Sequence, residues 1–145
     1  MSIEPYVYPP RDREEVERRL DEHYANLACR DGMEEISRNS FDGARLDSNC
    51  ARKAIEEFGI QRVELVLAVT IQRRSWDGRF SQRVKEWANA RSIPPRELER
   101  GYTLNTHSVV VDGFVRQYLQ TVEEMAREAI EEVEGQKQSF PEMTL

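Results

Sequence analysis

Arg73, Arg74, Trp76, Asp77, Arg79 and Arg83 crowd the densest polar chemistry of the chain into one short stretch, which follows directly on its most apolar run. Guanidinium groups offer planar, forked donors to carboxylates and phosphates, and an indole beside them adds an apolar face. Arg and Trp are also the residue types enriched at the energetic centres of protein interfaces. The same set can pair phosphates and stack bases, as in nucleic-acid binding. It equally admits a structural reading, in which Asp77 pairs with Arg79 or caps a helix, Trp87 is core and the other arginines are solvated.

Catalytic chemistry has less to work with. A nucleophilic Cys or Ser needs a neighbouring base, and His23 and His107 are the only histidines. His23 and Cys29 are separated by more than one helical turn and fall on different faces of one helix. No paired-Cys motif and no two histidines at helical spacing provide a metal site. The acidic pairs Glu34-Glu35, Glu56-Glu57 and Glu123-Glu124 are adjacent, so their carboxylates diverge around a helix and read as solvated faces. The expectation is a protein with no enzymatic activity, no metal and no cofactor.

The chain of 145 residues suits one domain with a core that needs no staple, and 39% hydrophobic with 33% charged residues is a globular composition. Its net charge is −6, unevenly placed: residues 52–100 carry 11 basic against 7 acidic groups, while both flanking regions are net acidic. That balance weighs against an extended phosphodiester footprint, although a basic centre can steer a charged partner. The Glu-rich face near the C-terminus can imitate a nucleic-acid backbone, or it can be an ordinary solvated helix surface. Cys29 and Cys50 are expected to be reduced and buried. No targeting signal opens the chain, and the longest apolar run, Val63 to Ile71, is broken by Glu64 and far below spanning length. The expected location is the cytoplasm, with no membrane association.

These residues must be positioned by helices. Residues 1–11, with Pro5, Pro9, Pro10, Tyr6 and Tyr8, read as an extended arm. Val16, Leu20, Tyr24, Leu27 and Ala28 recur at helical spacing, and Cys29, Met33 and Ile36 continue it on another side. Gly32 between the two sets leaves open one long helix or two helices meeting there. Residues 39–46 form a loop anchored by Phe41 with an Asp42-Gly43 turn. Asp47 or Ser48 caps a short helix with Ala51, Ala54, Ile55 and Phe58 inside, ended by Gly59.

Residues 61–74 fit helix and strand periodicity equally. No second β-rich run long enough for a sheet exists, so they are assigned to a central helix, apolar on nearly every side. Asp77-Gly78 turns the chain. Ser81 caps a helix with Phe80, Val84, Trp87 and Ala88 inward, and Pro95 opens a helical turn. The last helix, residues 108–134, is capped by Asn105 or Thr106, stripes Val115, Tyr118, Leu119, Val122, Ala126, Ala129, Ile130 and Val133, and stops at Gly135. Residues 136–145 are a flexible tail. The whole is an all-α single domain, residues 12–135, of five or six helices around the central one.

The blocks Asn26-x-x-Cys29, Phe41-Asp42-Gly43, Val66-Leu67-Ala68-x-Thr70-Ile71-Gln72, Trp76-Asp77-Gly78-Arg79-Phe80-Ser81 and Trp87-Ala88, in this order, resemble a bacterial domain family of unknown function over about residues 6–120. The resemblance implies an accessory protein of phages or conjugative elements that helps mobile DNA survive host defence. It supplies no catalytic residues. The chain departs from the family pattern at Thr106-His107-Ser108-Val109, where a His-Pro helix start is expected. On this basis the chain is expected to be an anti-CRISPR-like, non-enzymatic inhibitor of an RNA-guided, Cas9-type nuclease. Arg73, Arg74, Trp76, Asp77, Arg79 and Arg83 are its expected partner-binding residues. The alternatives are a mobile-element module that forms a homodimer through its C-terminal helix, and a small nucleic-acid-binding regulator.

Overall fold

The computed structural model describes residues 12–138, with side chains through residue 136. The expected arm, residues 1–11, and residues 139–145 of the expected tail lie outside the described residues. Within them the chain forms six helices: α1 Arg13–Ser40, α2 Cys50–Phe58, α3 Ile60–Arg73, α4 Gln82–Asn89, α5 Pro95–Leu98 and α6 Ser108–Gln138. The all-α expectation is met, and α3 packs against each of the other five.

Asp12 starts α1 by accepting the Glu15 amide on its side chain at 2.9 Å, with Glu14 and Glu15 complementing the positive end of the helix. The helix runs unbroken through Gly32, which settles the one-or-two-helix question. A Cβ at Gly32 would overlap the Phe58 ring, so the missing side chain is what lets α2 close on α1. Burial on α1 goes to Asn26, Cys29, Met33 and Ser37, at spacings of three and four. Of the first expected stripe Leu27 packs on the core, while Val16, Leu20 and Tyr24 are exposed.

Asp42 shapes the following loop by accepting the amides of Ala44 and Arg45 at 2.9 and 2.8 Å, while Gly43 takes a positive φ of 98°. Those amides hold the Asp42 carboxyl below its usual range. Phe41 and Leu46 pair across the loop, and Leu46 is the residue that packs on the core. The N-cap position of α2 is Asn49 rather than Asp47 or Ser48, without a side-chain cap bond; the Asp47 carboxylate, two residues earlier, accepts the Asn49 amide. Gly59 alone joins α2 to α3. Its φ of 90° with ψ of 154° is open to glycine and strained for any other residue.

In α3, Val63, Val66, Leu67, Ala68, Val69, Thr70 and Ile71 are all buried. A fully buried Val or Leu contributes roughly 1.5–3 kcal/mol, so this helix supplies much of the core's stabilisation. Cys29 and Cys50 are both buried, free thiols. Ser81 caps α4 by accepting the Val84 amide, and Pro95 opens α5 at its first turn. No helix among the described residues is long and apolar enough to cross a membrane.

The last helix begins at Ser108, as expected, but its cap differs and it ends later than expected. His107, not Asn105 or Thr106, supplies the first helical carbonyl, to Val111 at 3.0 Å. Gly135 does not adopt a positive φ, so it does not stop the helix, which continues through residues 136–138. The buried face of α6 runs through Val111, Phe114, Val115, Tyr118 and Thr121. Ala126, Ala129, Ile130 and Val133 are exposed because α6 extends beyond the body of the domain.

Candidate partner-binding site

The turn between α3 and α4 brings the six expected contact residues into one neighbourhood, in very different states. Asp77 is buried and accepts the Arg79 amide at 2.9 Å, the Arg79 guanidinium at Nε and NH2 (3.0 and 2.8 Å), and the Ser108 hydroxyl. The Arg79 and Ser108 bonds hold its carboxyl well below the usual carboxylate range. Arg79 is in turn kept charged by Asp77, and its side chain stays about half exposed.

Arg74 is directed inward. Its guanidinium donates to the carbonyls of Thr106 and Leu104 at 2.7 and 2.6 Å, strapping the segment before α6 onto the end of α3. Arg73 donates to the Leu98 carbonyl at 2.6 Å from an exposed position. Arg83 is exposed on the first turn of α4 and makes no ion pair among the described residues. Trp76 is 77% exposed, the most open large apolar side chain among those described. Beside it lies a cleft of about 410 Å³ edged by Arg79, Asn105, Thr106, His107 and Ser108.

Residues outside the basic cluster fix this geometry. Asp112, buried on α6, accepts the Ser81 amide at 2.7 Å and pairs with Arg116 at 3.0 Å. Thr70, fully buried on α3, donates to the Val66 carbonyl at 2.7 Å and accepts the Leu104 amide at 2.9 Å. Gln72 donates to the carbonyls of Ala88 and Arg91 at 2.9 and 3.0 Å, closing the end of α4. Sequence reading passed over Ser108, Asp112 and Arg116, although their spacing of four along one helix face was a usable signal. The two histidines part company: His23 Nδ1 lies 2.8 Å from the buried Tyr102 hydroxyl, and His107 stands at the cleft.

Trp87 is half-buried, tilted against Tyr118 with centroids 5.6 Å apart and covered by the Arg91 guanidinium at 5.3 Å. Of the two tryptophans, only Trp76 is left without a packing role. The arrangement can offer an aromatic face and the half-exposed Arg79 guanidinium on a turn pinned to α6, with the exposed Arg73 and Arg83 on the adjoining ends of α3 and α4.

Fold and site together define a small all-α domain that displays one aromatic turn from a hydrogen-bonded helical body. The chain belongs to the family described as "Protein of unknown function (DUF3849)", whose model matches residues 6–123. No curated protein and no solved structure matches it.

Proposed function

We propose that this domain is a non-enzymatic protein-binding module, carried by a phage or conjugative element, that docks through Trp76 onto an acidic, partly apolar surface of a host defence nuclease of the RNA-guided, Cas9 type and inhibits it. The observation that carries the binding role is the 77% exposure of Trp76 on a turn that Asp77 and Asp112 hold rigid. An indole presented on a preorganised scaffold loses little conformational entropy on docking, which is the economy of interface hot spots. Arg79 beside it, with the exposed Arg73 and Arg83 on the flanking helices, favours an acidic counterpart and speeds encounter. The nuclease as partner rests on the resemblance of the Trp76-to-Ser81 and Val66-to-Gln72 blocks to proteins of mobile elements. An overall charge of −6 makes a phosphodiester backbone the weaker candidate.

Purified protein is titrated onto a Cas9-type effector loaded with guide, with target cleavage and complex formation read together. Inhibition that disappears in Trp76→Ala and Arg83→Glu supports the reading. Complex formation untouched by both substitutions overturns the site, and no complex with unimpeded cleavage overturns this partner. Arg79 is a poor probe, since its removal also strips Asp77 of its main partner.

A further inference from the structure

A second surface, independent of the Trp76 turn, lies at the far end of α6. Val115, Leu119, Val122, Ala126, Ala129 and Val133 recur at alternating spacings of four and three, the 3.5-residue period by which one helix seams against another. Burial fades along that line. Val115 is fully buried, Leu119 and Val122 pack partly on the core, and Ala126, Ala129 and Val133 stand in solvent. Arg52 of α2 reaches Glu124 and Glu128 at 3.4 and 3.5 Å, tying the helix to the body near this point. Beyond it, residues 126–136 are all exposed, a projection of about 16 Å at the helical rise. Ile130, 57% exposed, widens the apolar line on one side.

The flanks of this seam select its occupant. Between Glu123 and Glu134 stand six glutamates and a single arginine. Glu123 and Glu134 border one side of the apolar line, with Arg127 further round, and Glu132 borders the other, with Glu128 further round. A second copy of α6 would set carboxylates against carboxylates in either orientation. The exposed Val16, Leu20 and Tyr24 of α1 serve no better, because residues 13–24 carry five acidic and three basic groups. The alanines leave shallow sites into which larger knobs of a facing helix can insert.

We infer that residues 122–134 form a docking helix for a basic amphipathic helix of another protein, with bulky aliphatic residues along its seam and Lys or Arg on both flanks. Docking extends the domain's own helical packing by about three turns, whose apolar line α6 holds in solvent with the Arg52–Glu128 pair as a tie to the body. The charge match makes the encounter sensitive to salt.

The probe is a synthetic helix of about 25 residues with Leu at the seam and Lys on the flanks, added to the full chain and followed by fluorescence anisotropy. Saturable binding is expected, weakened about tenfold or more in Ile130→Glu with Val133→Glu and equally weakened for a peptide with Glu flanks. Trp76→Ala leaves it unchanged. These exposed substitutions leave the melting temperature in place, which a thermal scan checks. Absence of saturable binding overturns the inference. So does binding that survives Ile130→Glu with Val133→Glu, which marks charge attraction alone, and so does a full-chain dimer that those substitutions dissociate.

Discussion

Ser108, the first residue of α6, donates its hydroxyl to the buried carboxylate of Asp77, while Asp112, one helical turn on, accepts the backbone amide of Ser81. The two serines and two aspartates thereby cross-pin the α3–α4 turn to the start of α6. Each carboxylate also has its own guanidinium on the solvent side, Arg79 over Asp77 and Arg116 over Asp112. Buried carboxylates are tolerated when hydrogen bonds and a paired guanidinium replace the water they lose, as both oxygens of Asp77 and of Asp112 find here. Trp76 precedes this pin by one residue, so the exposed indole is carried by one of the most heavily hydrogen-bonded turns in the domain.

Asp77→Asn is expected to lower the melting temperature by several degrees near neutral pH, because an amide cannot receive two guanidinium N–H groups and a hydroxyl as a carboxylate does. The pH dependence has a definite sign. The folded-state pKa of Asp77 is depressed, so its stabilisation is fully present above the unfolded value near 4 and is lost as pH falls below that toward the lower folded value. Thermal scans from pH 7 to 2 should show wild type and Asp77→Asn converging only on the acid side of about pH 4. A constant gap across that range assigns the effect to shape rather than charge.

Gly32→Ala tests the closeness of α1 and α2. Alanine improves helix propensity by about 1 kcal/mol, yet its Cβ overlaps the Phe58 ring, and overpacking of this kind costs about 1–3 kcal/mol. A net loss of stability is expected in urea unfolding. With Phe58→Leu in the background, the same substitution should turn neutral or stabilising, and that sign change is the diagnostic coupling.

Much of this architecture was legible because the strongest signals were local. Ser81 as a cap, Gly59 as a break and the apolar run of α3 each follow from one residue type in one backbone role. The ends of α1 and α6 were not legible, because periodicity shows which side of a helix is apolar and not how far a partner extends along it. Hence Val16, Leu20, Ile130 and Val133 continue the apolar stripes of their helices and yet stand exposed. Within the basic cluster the Asp77–Arg79 pair is local and legible, whereas the inward turn of Arg74 depends on the Leu104 and Thr106 carbonyls, distant in sequence. Gly135 misled for a related reason: glycine permits a left-handed stop without imposing one.

Cys29 provides a probe of the core that requires no mutation. Burial raises its thiol pKa to about 12, so almost no thiolate forms at pH 8. Burial also raises the Cys50 thiol. Both cysteines are expected to resist a thiol-specific chromogenic reagent in the native protein and to react together once urea unfolds it. Prompt labelling of either one in buffer would show that α1 or α2 opens locally well below the global unfolding free energy.

Thr70 carries the most direct test of how the segment before α6 is held. Leu104 and Tyr102 are fully buried although they lie in no helix, so their backbone groups need partners from side chains. The Thr70 hydroxyl takes the Leu104 amide, Arg30 takes the Thr103 carbonyl at 3.0 Å and Arg74 takes the Leu104 and Thr106 carbonyls. Thr70→Val preserves volume and leaves that amide buried without an acceptor, a loss of about 1–3 kcal/mol. Thr70→Ser keeps the acceptor and should recover most of the difference, apart from one methyl of packing. Because the same segment forms the wall of the Trp76 cleft, Thr70→Val should also speed amide exchange at Leu104 while leaving the C-terminal turns of α6 unaffected. Equal stability of the Val and Ser variants would show that the Leu104 amide finds another acceptor, and the strap would then rest on Arg30, Arg74 and the Glu34 carboxylate that accepts the Asn105 amide.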